Sequence, residues 1–263
     1  MPRIAIGIEY EGTRYCGWQR QEHALSIQQV LEEAVSRVAD EPVIVNVAGR
    51  TDAGVHAAGQ VAHFDTAATR DPRSWLLGVN SNLPHDVSVS WAREVAPAFD
   101  ARYSAVARTY EYLVLNRPAR SALWAGRAWW LHGSLDVEAM RVASRCLIGE
   151  HDFSAFRAVL CQARSPMRRI EFLDIKRSGP FVRFTVRANA FLHHMVRNLV
   201  GSLIRVARGE VPPEWIHQVL VGRDRRAAGM TAPPAGLSLV RVHYPQSWDI
   251  PPPDQWPAGD GDL

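Results

Sequence analysis

The sequence predicts an α+β chain built from two similar α/β halves with mainly antiparallel sheets. Three observations carry that prediction. Stretches of apolar alternation recur, as in residues 3–9 (RIAIGIE) and 181–187. Segments with apolar residues at helical spacing lie between them, as in 27–38 and 192–208. The two kinds of element are mixed twice, with the change near residue 100. Gly179-Pro180 between two strand-like runs is a hairpin signal, which favours antiparallel pairing.

In chain order, Ile4, Ile6 and Ile8 place one face of a first strand in the core and predict it half-buried. A loop rich in Gly, Arg and aromatics follows (11–21). Ile27, Val30, Leu31, Ala34, Val35 and Val38 then predict a helix, with Ser26 as N-cap and Gln29 completing a capping box. Residues 43–47 (VIVNV) predict a second strand and 60–66 a third; glycines at 49, 54 and 59 interrupt regular structure between them. Asp71-Pro72 reads as an N-cap followed by proline at the first helical position. Residues 87–91 alternate again. The second half offers strands at 107–115, 170–177 and 181–187, and a helix from a Ser134 cap to Leu147. A long helix covers 192–208, with His194, Arg197, Asn198, Arg205 and Arg208 on its outer face. A short helix at 213–221 and a strand at 237–244 follow. The expected organisation is 1–104, 105–247 and a proline-rich, acidic, disordered tail at 248–263.

The 263 residues are 47% hydrophobic and 22% charged, which excludes an intrinsically disordered chain. Area scaling lets about 73% of the surface be buried without disulfide or metal staples. Three cysteines (Cys16, Cys146, Cys161) are too few and scattered for a disulfide framework or zinc cluster. They are expected to be buried thiols in a reducing, cytoplasmic compartment. A secretory leader is not expected, because Glu9 interrupts the short apolar stretch after Arg3. No apolar run approaches the ~18 residues of a membrane span. Trp91, Trp129 and Trp130 fit core strand positions.

Net charge is +3, and of 30 basic residues only Lys176 is lysine. Between Arg157 and Arg208 eleven basic residues face only Glu171 and Asp174. Such a block is either a phosphate-binding surface or a solvated basic face.

The densest chemistry lies in Ala48-Gly49-Arg50-Thr51-Asp52-Ala53-Gly54-Val55-His56. Were the strand to continue this far, Arg50 and Asp52 would leave it on the same face. A guanidinium beside a carboxylate holds it ionised, and an ionised aspartate can act as nucleophile or general base. The competing reading is an aspartate that stabilises its own turn. There is no P-loop and no G-x-G-x-x-G fingerprint, so no nucleotide cofactor is expected. The histidines form no metal-ligand motif, so no metal is expected either. Trp18, in the basic N-terminal loop, is a candidate for stacking on a base.

AGRTDAGVHAAGQVAHF (48–64) closely resembles the catalytic segment of the tRNA pseudouridine synthase A family. YCGWQRQ (15–21), ARTYEYLV (107–114), GEHDFSAFRA (149–158) and NAFLHHMVRNLVGSL (189–203) resemble that family's other signature segments, in its order. The resemblance runs from about residue 3 to 245. It implies an enzyme that isomerises uridine to pseudouridine at positions 38 to 40 of the tRNA anticodon stem-loop, without cofactor or metal. It also implies a homodimer, and a catalytic cleft between the two halves. Asp52 takes the position of the catalytic aspartate, with Arg50 supporting it. Tyr110 matches the tyrosine that packs on the target uracil, and Arg197 the helix arginine that pairs with the aspartate. The arginine block then has a use, with Arg164, Arg168, Arg169 and Arg205 tracking the RNA backbone alongside Arg14, Trp18 and Arg20. Two alternatives accompany this reading: a catalytically silent tRNA- or RNA-binding protein on the same scaffold, and a carboxylate-dependent N-glycoside hydrolase.

Overall fold

The computed structural model describes residues 1–253; the part of the expected tail beyond them lies outside the described residues. The described residues form two compact units, residues 1–106 with 238–253, and residues 107–237. Both are α+β with mostly antiparallel pairing, as the alternation and hairpin signals predict.

In the first unit β1 (Arg3–Tyr10) lies between β3 (His56–Asp65) and β4 (Val87–Val95), antiparallel to both. β2 (Asn46–Val47) pairs with the other side of β3. β10 (Leu237–His243) runs parallel to β3, through Ser238↔His56 and Leu239↔Ala57. The last strand therefore returns to pair with a strand of the first unit. α1 (Ile27–Ala39) packs on α2 (Pro72–Asn82), and α2 packs on β4. Both N-caps are as read: Ser26 Oγ accepts from Gln29 N–H at 3.3 Å, and Asp71 Oδ1 from Ser74 N–H at 2.9 Å. The Gln29 amide nitrogen donates to Glu33 Oε1 at 3.1 Å, one turn further along α1.

Several expectations need correction here. β1 is buried on both faces, not one, since Ala5 is as buried as its isoleucine neighbours. Only 46–47 of the predicted 43–47 strand enters the sheet. Val43 and Val45 are buried, but their N–H groups donate to Ser36 Oγ at 2.9 Å and Glu32 Oε1 at 3.1 Å. Side chains of α1 thus take the backbone donors that a sheet neighbour would need. β3 begins four residues earlier than predicted and carries Gly59 within it. At the tail, Trp248 sets its ring edge-on to Phe99 at 5.4 Å, and Asp249 pairs with Arg93 at 2.6 Å. Residues 248–249 are therefore held against the first unit, where disorder was predicted from 248.

The second unit places β5 (Ala107–Asn116) beside β9 (Phe181–Ala188), then β8 (Met167–Ser178) and β7 (Gly149–Asp152), each pair antiparallel. A short β6 (Trp129–Leu131) runs parallel to β5. The hairpin at Gly179-Pro180 forms, with Ser178 opposite Phe181 and Gly179 at φ +53°. Burial along β9 alternates, with Val182, Phe184 and Val186 inward between Arg183 and Arg187. α3 (Val137–Ser144) packs on α4 (Met195–Ala207), and α5 (Trp215–Gly222) follows. The cap of α3 is Asp136, whose Oδ1 accepts from Ala139 N–H at 2.9 Å, not Ser134. A 3-10 turn (Arg145–Leu147) ends that stretch. α4 starts after His194, at φ +60°, three residues later than predicted. None of the three cysteines is buried: Cys16 is exposed, Cys146 and Cys161 half-buried. Trp130 is 37% exposed, so it does not fill the core position assigned to it.

One buried base on β3 has a pH consequence. His63 is 2% exposed; its Nδ1 accepts the Ala101 N–H at 3.1 Å, which needs the neutral ring. Burial first, and the Arg3 charge second, hold its pKa below the ordinary value, against the opposing pull of Asp100 and Asp65. The unfolded chain takes up this proton near pH 6.5 and the folded chain resists it. Stability should therefore fall as pH drops below about 6.5, until the folded ring also protonates. Urea unfolding at several pH values should show a shallower decline for His63→Gln, which keeps an acceptor for Ala101. An unchanged slope would show that the ring is not the titrating group.

Candidate active site

The 48–55 segment is a loop, not a continuation of strand, so strand alternation does not set Arg50 and Asp52 on a common face. Arg50 is exposed and Asp52 half-buried. What fixes Asp52 is its neighbours. Thr51 is buried, and its Oγ1 shares a 2.7 Å hydrogen bond with the hydroxyl of Tyr10. The Thr51 carbonyl accepts the Trp18 N–H at 3.0 Å. The Gly49 carbonyl accepts from Gln60 Nε2 at 2.7 Å, and the Ala48 N–H donates to the Val61 carbonyl at 2.8 Å. The Asp52 carbonyl accepts the Val55 N–H at 3.1 Å across a turn whose third residue, Gly54, sits at φ +76°. Positive φ at that position defines a type II turn and is why glycine stands there. Asp52 is thus the first residue of a tight turn whose preceding residue is tied into the core. Burial pushes the Tyr10 hydroxyl up to about 12, against the opposing hydrogen bonds from Thr51 and Gln60, so it stays protonated as an anchor.

A second loop presses on the first. The Gly12 N–H donates to His56 Nδ1 at 3.0 Å, and the Gly54 N–H donates to the Tyr15 carbonyl at 3.2 Å. Trp18, expected to stack on RNA, is 1% exposed and packs 6.1 Å from the Tyr10 ring. Its ring is buried between the two loops, so it offers no open face for stacking on a base. Tyr10, Gly12 and Thr51 are site-building residues that the sequence did not single out. Only Thr51 carried a signal, as a polar side chain inside the glycine-punctuated loop.

In the second unit Tyr110 lies on β5, 9% exposed, with the Phe191 ring edge-on at 5.0 Å. Arg197, on the first turn of α4, is half-buried, and its Nε donates to the Ala232 carbonyl at 2.7 Å. Asn198, predicted on the outer face of α4, is instead fully buried, because its amide is the hub of a polar cluster.

The arginine block is not one uniform basic face. Arg187 pairs with Glu171 at 2.6 Å, and Arg157 donates to the carbonyl of Ala163 at 2.8 Å. Arg205 pairs with Glu210 at 3.2 Å and lies 4.8 Å over the Trp215 ring. Arg168 donates to the Ser165 carbonyl at 2.9 Å, and burial, with Arg157 nearby, lowers its pKa. Arg164 and Arg169 are exposed. In the first unit Arg14 pairs with Asp86 at 3.3 Å and Arg20 with Glu32 at 3.2 Å, both arginines remaining more than half exposed. Among the described residues no helix is long and apolar enough to cross a membrane.

A family model described as tRNA pseudouridine synthase matches residues 6–104 and 143–245. Proteins named tRNA pseudouridine synthase A are similar over nearly the full length. That of Hydrogenovibrio crunogenus is 52% identical, over 95% of this chain and 96% of its own. That of Methylococcus capsulatus is 54% identical over 94% and 92%, and that of Pseudomonas aeruginosa 53% over 95% and 88%. A solved H/ACA ribonucleoprotein bound to a substrate RNA containing 2'-deoxyuridine is far more remote. It has a TM-score of 0.39 and 13% identity, over 90% of this chain and 47% of that one. The sequence matches define an RNA-modifying isomerase. The chain belongs to the tRNA pseudouridine synthase family.

Proposed function

We propose that this enzyme converts uridine to pseudouridine at positions 38–40 of the tRNA anticodon stem-loop, acting as a cytoplasmic homodimer without cofactor or metal. The observation that carries the reading is Asp52, half-buried at the head of a type II turn whose preceding residue is tied to Tyr10 and Trp18. A carboxylate delivered this rigidly suits a reaction in which position decides rate. The target nucleoside leaves the stack at a cost of a few kcal/mol. Tyr110 is the ring against the extruded uracil, and base–aromatic stacking returns about 1–3 kcal/mol.

Asp52 then attacks the base or sugar, or removes a sugar proton, as the C1′–N1 bond breaks. The uracil rotates and C5 bonds to C1′. The C5 proton leaves and N1 gains one, so no net oxidation occurs. Arg50 and Arg197 are the cations that support this carboxylate. The exposed arginines, Arg14, Arg20, Arg164 and Arg169 among them, bear on the RNA backbone.

The test is an unmodified anticodon stem-loop RNA with uridines at 38–40. Incubation with the enzyme should yield mass-silent conversion, detected as pseudouridine-specific chemical adducts at those positions. Released uracil with an abasic site would mark a hydrolase. Binding without conversion would mark a silent RNA-binding protein.

A further inference from the structure

The reach of Arg197 is set by a carbonyl that belongs to a segment with little regular structure of its own. Residues 223–236 contain only two 3-10 turns, yet Ala232 both accepts from Arg197 Nε and donates its N–H to the Arg197 carbonyl at 3.1 Å. A polar cluster holds this segment against α4. Asn198, 0% exposed, donates from Nδ2 to the Phe156 carbonyl at 2.8 Å. Its Oδ1 accepts from Arg225 Nη2 at 3.0 Å and from Thr231 Oγ1 at 2.7 Å. Arg225 also donates from Nη1 to the Gly229 carbonyl at 2.9 Å and from Nη2 to Thr231 Oγ1 at 3.0 Å. The Gly229 N–H donates to Ser202 Oγ at 2.9 Å.

Arg225 therefore ties both ends of the 229–231 segment to a buried amide one residue beyond Arg197. Among the described residues no carboxylate pairs with it, and burial lowers its pKa. Half-burying a cation among neutral partners opposes folding. A clamp needed for geometry explains why such a group stands here.

We propose that Arg225 is a positioning residue for Arg197. It locks residues 229–232 onto α4 so that the Ala232 carbonyl fixes the Nε edge of the Arg197 guanidinium. Because the guanidinium is planar, fixing that edge fixes the direction of its terminal nitrogens. The inference rests on the role given to Arg197 above.

The test compares Arg225→Lys, Arg197→Lys and the double variant in single-turnover and steady-state assays on tRNA. Lysine keeps the charge but lacks the fork that reaches three acceptors. We expect Arg225→Lys to lower kcat by roughly ten- to a hundredfold, the scale of a 1 Å misplacement. KM for tRNA should stay within about twofold, since only the reacting geometry moves. In the Arg197→Lys background the same substitution should change kcat no further, as coupled residues do not add. Thr231→Val, which loses the Asn198 and Arg225 bonds without removing a charge, should show the same pattern more weakly and serves if Arg225→Lys fails to fold. An unchanged kcat, or an equal loss in both backgrounds, overturns the positioning role. If Arg197→Lys alone keeps full kcat, the role of Arg197 falls and the inference with it.

Discussion

Replacing Asp52 by asparagine abolishes pseudouridine formation, a fall of at least about a thousandfold in kcat, while tRNA binding stays within a few-fold of wild type. Asparagine fills the same volume but is neither a base nor a competent nucleophile. Contacts made by the backbone and by the preceding residue help to place it, and the variant keeps them. Thr51 is held by Tyr10 and by the Trp18 N–H, and the turn closes through the Asp52 carbonyl to Val55. The variant loop should therefore keep its shape, and the melting temperature should change little. Those two controls, intact binding and intact melting, separate loss of chemistry from loss of structure. Measurable turnover by Asp52→Asn would sink the assignment of the reacting group.

The reach of the sequence differed between elements for physical reasons. Where a period was imposed by one buried face, as in α1 and β9, the pattern was legible, and the caps at Ser26 and Asp71 were found from their residue types. It failed where tertiary contacts overrode local pattern. Residues 43–45 (VIV) are β-branched throughout, as in a strand, yet Ser36 and Glu32 take the backbone donors of Val43 and Val45. Asn198 reads as an outward polar residue, yet a cluster assembled from residues 156, 225 and 231 satisfies its amide in the interior. Trp18 sits in a basic loop, but a ring of that size is worth more in the core than in solvent. At the site, the composition of the 48–56 segment marked the reactive loop. It did not show that the loop is held through Tyr10 and Gly12, since those contacts join residues about forty apart in sequence.

Gly12 is where that long-range support is most exposed to a single methyl group. A Cβ built there would lie 2.0 Å from the Val55 carbonyl oxygen and 2.6 Å from its carbon, both backbone atoms. Neither can rotate away, so Gly12→Ala must push the 52–55 turn or the 11–18 loop aside by on the order of 1 Å. Overpacking of this kind costs about 1–3 kcal/mol of stability. A displacement of that size at a reacting group costs roughly a hundredfold in rate. The substitution should therefore lower both the urea midpoint and kcat, with the loss of kcat greater than the fraction unfolded explains. Gly49→Ala is the matched control. It lies in the same segment as Asp52, but its added methyl meets nothing within 4 Å, so stability should shift by no more than about 0.5 kcal/mol. If Gly12→Ala were as active as wild type, the turn carrying Asp52 would be free to relax, and rigid delivery of the carboxylate would not be how this loop works.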